Sequence, residues 1–440
     1  MRLISLRLLI VLLASGLAAC AAPGADIGTT VKGERIAVVP SAKTIESDPE
    51  LKGQHFEISE PVTNKNWLQS GYDTTHVLPN AALAARPTEI WRADVGSGSD
   101  SDYKILARPI VGDGRVFTMD AQGTVRSFDV NSGDRIWEFD TTPEDRDTNA
   151  IGGGVALDGD TLYATTGFGE VLALGAAEGS VKWRKLLLNP LRAAPTIANN
   201  RVYVVSIDNK LQALDARTGE ALWHHNGISE SATLMGASNP AVSGDSLIVT
   251  YSSGEIYNLR AENGRASWSY GLTMPTQVGS LPAIADIRGL PVIDRGLVFA
   301  ISHSGRMAAI DQRTGDRAWE ADVGGINTPL VAGDIVYVLT NDGQLVALAR
   351  TSGRFVWIQE LQHLADPEDH DSDPVVWAGP TLAGNKLWLT NSMGQLVSFS
   401  PGNGSQEDVI DFGDATYIPP AVAGETLYVV TDNGYLVALR

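Results

Sequence analysis

The sequence predicts an all-β chain folded as an eight-bladed β-propeller of four-stranded antiparallel blades, and three observations lead there. A Gly-x-x-x-Trp step recurs six times, from Gly133 to Trp137, Gly179 to Trp183, Gly219 to Trp223, Gly264 to Trp268, Gly315 to Trp319 and Gly353 to Trp357. Eight β-hairpin turns precede or accompany these steps: Asp120 to Gly123, Gly167 to Gly169, Asp208 to Lys210, Ser252 to Gly254, His303 to Gly305, Asn341 to Gly343, Ser392 to Gly394 and Asp432 to Gly434. From Gly123 to Gly434 is 311 residues over seven intervals, a mean of 44.4. That is the period of a four-stranded propeller blade and too long for leucine-rich or ankyrin units.

Each copy follows one grammar. Short β-branched runs such as Arg201 to Ser206 and Thr426 to Thr431, bounded by Gly, Asn or Asp, read as strands rather than helices. After each turn a strand ends in a small residue and then an apolar one: Ser127-Phe128, Ala173-Leu174, Ala213-Leu214, Asn258-Leu259, Ala309-Ile310, Ala347-Leu348, Ser398-Phe399 and Ala438-Leu439. The eighth copy reaches Leu439-Arg440 with no Trp-bearing strand behind it, while Glu89 to Asp94 resembles such a strand without its turn. Pairing of the N- and C-terminal segments therefore closes the ring in one shared blade and leaves few free sheet edges. The seventh copy has Asp408 where Gly404 calls for Trp, and its blade is expected to pack most loosely.

The repeated indoles, Trp91, Trp137, Trp183, Trp223, Trp268, Trp319 and Trp357, are read as structural. Burying roughly 150–250 Å² each at about 25 cal/mol per Å² gives on the order of 4–6 kcal/mol before entropy.

Ahead of the propeller, which is assigned to residues 88–440, two further regions are expected. Residues 1–19 have the form of a bacterial lipoprotein signal: Arg2 and Arg7, an apolar core from Leu8 to Leu13, and Leu17-Ala-Ala-Cys20 as the cleavage site. Cys20, the single cysteine, would carry diacylglycerol and a palmitate-type acyl chain, anchoring the protein without a spanning helix. With Ala21 rather than Asp after it, the sorting rule of Gram-negative lipoproteins sends the protein to the outer membrane, facing the periplasm. Residues 20–87, rich in Ala, Thr, Ser, Glu and Asn, read as a lipid-anchored tether, with Trp67 to Gly71 as an N-terminal clasp on the propeller.

Charge and motifs exclude several classes. The chain has 33 basic and 52 acidic residues, −19 overall. Losing Arg2 and Arg7 with the signal leaves 31 and 52, or −21, which opposes binding to nucleic acid. No Gly-x-Ser-x-Gly elbow, His-Glu-x-x-His or Cys-x-x-Cys is present, so no catalytic residue, metal ligand or cofactor is assigned. His224-His225 reads as an alternating strand pair. Asp369, Asp371 and Asp373 alternate as in a calcium loop, but Pro374 and Pro380 stand where Gly and a distal acid are needed, which favours a solvated loop over residues 366–373. Asp145 to Asp147 with Asn149 is a second polar insertion, a loop or a contact surface.

Tails such as Leu214 to Trp223 and Ile310 to Trp319 resemble the repeat of pyrroloquinoline-quinone-type propellers over residues 89 to 440. With the lipoprotein signal and eight copies, the chain resembles the BamB family of the outer-membrane β-barrel assembly machinery. That resemblance implies a noncatalytic lipoprotein scaffold that binds the periplasmic POTRA domains of BamA, sits beside other assembly-complex lipoproteins and assists unfolded outer-membrane proteins by β-augmentation. In the family, one contact connection carries Leu-Arg before Ser-x-Pro and a neighbouring one Asp-x-Asp before Pro. Here these match Leu234-Met235 ahead of Ser238 to Pro240, and Asp286 to Arg288 ahead of Pro291. Met235 and Arg288 depart from the pattern, which alters the charge; Leu234 and Asp286 are equally compatible with a packed strand start and a turn acid. Two alternatives remain open. One is a quinone-dependent dehydrogenase-like propeller, against which the single cysteine counts because it excludes a vicinal disulfide. The other is a periplasmic polysaccharide binder using Trp377 or Trp388, residues equally suited to packing in the seventh blade in place of its missing tail Trp.

Overall fold

The computed structural model describes residues 45–54, 56–146, 150–273 and 284–440. The signal, Cys20, the tether up to residue 44, and Asp147 and Asn149 lie outside the described residues. Eight four-stranded antiparallel sheets follow one another, and the first blade shows the plan: Ile110–Gly112, Arg115–Met119, Thr124–Asp129 and Arg135–Asp140, paired in sequence order. The seventh blade runs from Trp377–Ala383 to Gln406–Asp411. In the closing blade Glu89–Asp94 pairs antiparallel with Tyr435–Leu439, placing Trp91 opposite Ala438. Thr88 and Arg440 exchange backbone hydrogen bonds of 2.8 and 2.9 Å beyond that pairing. The ring is thus sealed by antiparallel strand pairing between the two ends of the propeller segment.

The register explains the small residues at the ends of third strands. Ser127, Ala173, Ala213, Asn258, Ala309, Ala347 and Ala438 each stand directly opposite a tail indole, and all but Ala438 lie at a register shift on their own strand. Residues directly opposite share a face, so a larger side chain there would displace the ring. The second-strand aromatic of the same blade completes the cluster: Phe117 with Trp137, Tyr163 with Trp183, Tyr203 with Trp223, Phe299 with Trp319 and Tyr337 with Trp357, at centroid distances of 5.8–6.0 Å.

Each indole also reaches the next blade. A Cβ placed on Gly133, Gly179, Gly219, Gly264, Gly315, Gly353 or Gly404 would lie 2.4–2.8 Å from the ring of the preceding Trp, and all seven glycines have positive φ. The same turn supplies an acceptor. Indole N–H groups donate to the carbonyls of Val130, Ala176, Ala216, Gln312, Arg350 and Pro401 at 2.8–3.2 Å, while Trp223 Nε1 is buried without one. The Gly-x-x-x-Trp step is therefore two halves of successive joints: the Gly receives one indole and the Trp is delivered to the following blade.

The seventh blade is not loosely packed. Its first strand is buried along its whole length and Trp388 is only 1% exposed. Bulk has moved from the tail to the second strand, where Trp388 replaces the usual Phe or Tyr, with the Lys386 ammonium 5.9 Å from its ring. Lys386 in turn pairs with Asp408 at 2.5 Å and Glu407 at 3.2 Å. The reason for Asp408 lies across the joint. The closing blade takes its outer strand from Glu89–Asp94, so no Gly-bearing turn links its third and fourth strands, and an indole here would have no landing site.

Candidate functional site

The inner strands are mostly three residues long and line a central channel, and residues 57–82 close one end of it as a strap. Glu57 O accepts from Asp334 N in the sixth blade, and Asn64 O from Gly424 N in the closing blade. Trp67 exchanges backbone hydrogen bonds of 2.7 and 2.8 Å with Val111 in the first blade, and Leu68 O accepts from Leu157 N in the second. The Gln69 carboxamide bonds both backbone groups of Ile197 in the third at 3.0 Å. Thr74 O and Thr75 O accept from Val242 N and Ile293 N in the fourth and fifth, and Ala81 exchanges bonds with Leu382 and Gly384 in the seventh. All eight blades are touched. Inner strands would otherwise present unpaired backbone groups to the channel, and the strap satisfies at least one in each blade's inner strand or, in the sixth, in the turn that follows it.

Two side chains fix the strap most firmly. Trp67 is buried, in edge contact with Tyr72 at 5.4 Å and with the Arg108 guanidinium 5.4 Å from its ring centroid. His76 is fully enclosed, its Nδ1 2.8 Å from Pro291 O, and burial pushes its pKa down to about 4.

The other end of the channel is open and carries the connections that enter each blade. Above the strap is a cavity of about 480 Å³, lined among others by Arg108, Arg192, Met235, Arg288 and Asp432. The structure brings all four sequence-predicted contact residues to this face. Asp286 is buried and its Oδ2 accepts the Leu234 amide at 2.8 Å, while its backbone carbonyl accepts from His303 N at 2.9 Å. Burial raises the Asp286 pKa, opposed by the Leu234 hydrogen bond and the Arg288 and His303 charges. Asp286 is therefore a brace between the two connections rather than an exposed contact. Met235 is 43% exposed at the cavity rim, and Arg288 lines the cavity with its pKa lowered by burial and partly restored by Asp286.

Sequence reasoning missed the apolar residues beside them. Leu188, Ile228 and Ile284 are 79%, 60% and 41% exposed, on the connections leaving the second, third and fourth blades. Together with Met235 they give three adjacent connections exposed apolar side chains, the composition of a protein-docking surface. The available signal was an apolar residue at Leu188 and Ile228, shortly after an outer strand ends, where the first blade has polar Thr142.

The remaining candidates separate. His225 stacks on Tyr251, with its Nδ1 2.8 Å from the phenol oxygen, while His224 faces solvent. In the exposed 366–373 loop, Asp366 and Asp369 accept the amides of Glu368 and Asp371. Among the described residues no three His, Cys, Asp or Glu side chains gather as a metal site. Trp377 and Trp388 are buried with their N–H groups donated to Gln362 O and Ala383 O, so neither offers a face for a sugar to stack on. No helix among the described residues is long and apolar enough to cross a membrane.

A ring of eight four-stranded blades, seven of its eight joints made by a Trp on a Gly turn, defines a propeller of the quinone-type repeat class. Solved structures share the fold: BamB from Moraxella catarrhalis superposes with a TM-score of 0.69 at 19% identity, over 81% of this chain and all of that one. Quinohemoprotein alcohol dehydrogenase from Comamonas testosteroni gives 0.66 at 14% identity, over 85% and 80%. The family described as outer membrane protein assembly factor BamB matches residues 81–149 and 121–359. A curated relative of that name from Yersinia pestis is 26% identical over 375 residues, 83% of this chain and 92% of that protein. The chain belongs to the BamB family.

Proposed function

We propose that this protein is a noncatalytic scaffold of the outer-membrane β-barrel assembly machinery, held to the outer membrane through acylated Cys20 and facing the periplasm. Its connection face docks on the POTRA domains of BamA, in company with the other assembly lipoproteins. The observation that carries the reading is the run of exposed apolar residues on three neighbouring connections, set beside Leu234, whose amide is held by buried Asp286. A rigid ring presents such a patch at little cost in ordering entropy, which favours binding. The segment between Cys20 and the propeller, within residues 20–87, supplies the tether and clasp, and outer strands such as Arg135–Asp140 offer edges to which unfolded barrel strands could add.

The test is recovery of BamA from solubilised outer membranes on the intact lipoprotein. Met235→Asp and Leu188→Asp, each placing a charge in the apolar patch, are expected to cut recovery about tenfold or more. Undiminished recovery with both would overturn the docking face, and no recovery with the unaltered protein would overturn the function. The dehydrogenase-like fold supports a second reading, but the described residues do not fit a calcium-bound quinone, because no acidic cluster of metal-binding form is present. Turnover of alcohols or sugars on adding the quinone and calcium would favour that reading.

A further inference from the structure

The open end of the channel collects cations in a protein that is otherwise strongly acidic. Lys104, Arg108, Arg192 and Arg288 all line the one cavity, Asp432 being the sole acid among the lining residues, although the whole chain carries −19. They arrive on three different connections, entering the first, third and fifth blades, so the cluster is produced by the ring and not by a basic stretch of sequence. Among the described residues the Lys104 and Arg192 side chains make no hydrogen bond or ion pair, although Lys104 lies near enough to Asp100 for its charge to help lower that carboxyl's pKa. Arg108 donates to Ser70 O at 3.0 Å and lies over Trp67. A guanidinium has five N–H donors, and burial has already lowered this one to a pKa of about 10, the mark of a cation that has lost water without gaining a carboxylate. Asp286 lies near enough to Arg288 to act on its charge, but its carboxylate is engaged by the Leu234 amide.

Four like charges around one cavity repel one another, and an anion between them removes that cost while meeting the free donors. The walls supply the rest of the specification. Ile105, Leu290, Ile326 and Ile418 form apolar surface around a volume of about 480 Å³, within the range of roughly 300–1,000 Å³ usual for small-molecule sites. Inorganic phosphate gains nothing from such walls, whereas an organic anion buries its carbon body against them. The geometry points to a binding site for a small organic di- or tricarboxylate in the strap-floored channel, held by Lys104, Arg108, Arg192 and Arg288. The site opens on the same face as the docking proposed above and shares Met235 at its rim, but Lys104 and Arg192 take no part in the apolar docking patch, so the two proposals are tested separately.

The experiment is calorimetric titration of the detergent-solubilised lipoprotein with trimesate, citrate and inorganic phosphate at low and moderate salt. Trimesate and citrate are expected to bind one per protein, more weakly as salt rises, and at least about tenfold more tightly than phosphate. The double variant Lys104→Gln/Arg192→Gln should weaken trimesate at least about tenfold, while Arg313→Gln, an exposed turn residue, leaves it unchanged. Thermal unfolding of the ligand-free double variant, matching the unaltered protein, establishes that the ring is intact; if it is destabilised, the single variant Arg192→Gln carries the same comparison. The proposal fails if neither carboxylate gives saturable heat up to ~10 mM, where even millimolar affinity is visible. It fails equally if the variants bind as the unaltered protein does, or if phosphate matches the carboxylates. Any of these failures leaves recovery of BamA untouched.

Discussion

Seven of the eight joints around the ring are made in one way and the eighth in another. At the seven, an indole rests on a glycine of the next blade, and six of the indoles also donate to a carbonyl of the same turn. At the eighth, between the seventh blade and the closing one, the indole is missing and what remains are polar contacts of a kind other joints also have, such as Thr165 Oγ1 to Ala193 O and Thr196 Oγ1 to Pro240 O. Thr381 Oγ1 and Thr390 Oγ1 donate to Pro420 O and Ile418 O, both at 3.0 Å, and Arg92 pairs with Asp414 at 2.9 Å. The difference teaches that the tail Trp is conditional on a turn to receive it. Where strand exchange removes that turn, the Trp is absent and the second strand carries the bulk instead.

The largest effect that separates the two kinds of joint is loss of the indole. Trp319→Ala should cost about 3–5 kcal/mol in chemical denaturation, as for other buried aromatic truncations. Asp408→Ala at the eighth joint should cost under about 1 kcal/mol, because its partner Lys386 is partly exposed and retains Glu407. Equal losses would show that the indoles are not what binds blade to blade. Next comes the receiving glycine. Gly264→Ala meets the Trp223 ring at 2.4 Å and must hold a φ of +73°, so about 2–4 kcal/mol is expected from overpacking and left-handed strain together. Gly424→Ala in the closing blade, at φ +58° with nothing near its Cβ, should lose only about 1–2 kcal/mol.

The strap that spans both kinds of joint gives a pH-dependent test. His76 has a folded pKa of about 4 against an ordinary 6.5, so its contribution is fully present above pH 6.5 and is lost as pH falls toward 4, by up to about 3 kcal/mol. Unfolding free energies measured across that window should fall more steeply for the unaltered protein than for His76→Asn, a residue that tolerates the local φ of 64°. Parallel pH profiles would remove His76 as the anchor. The smallest effect concerns the brace. Asp286→Asn keeps an acceptor for the Leu234 amide and removes a charge whose pKa is already raised by burial, so stability should change by less than about 1 kcal/mol. Asp286→Ala leaves that amide unmet and should lose about 1–3 kcal/mol, with weaker docking.

The ring was legible because its information is periodic: a Gly, four residues later a Trp, and a small residue opposite that Trp repeat with the chain. The strap was not, beyond the clasp at Trp67, because its contacts follow the circumference of the channel. Trp67, Leu68 and Gln69 serve three successive blades from three successive residues, and Thr74 and Thr75 serve two more. Such spacing has no helical or strand period. The channel cations were hidden for a related reason, being about 90 residues apart in sequence from Arg108 to Arg192 and again to Arg288. Aligning the copies would have exposed two of them, since Arg192 and Arg288 each stand three residues before the Pro that opens a blade, at Pro195 and Pro291. Leu234 and Asp286 were found by motif, but only coordinates show that one holds the other and that the exposed side chains on this face are Met235 and its apolar neighbours.

Photo-crosslinking in the intact envelope tests the docking face most directly, with a photoreactive residue at position 188, 235 or 284 and, as controls on the exposed outer strands, at 136 or 181. The account predicts adducts to the POTRA-bearing subunit from the three connection positions and none from the two controls. Adducts from the outer strands alone, or from no position in a protein that still co-purifies with that subunit, would contradict it.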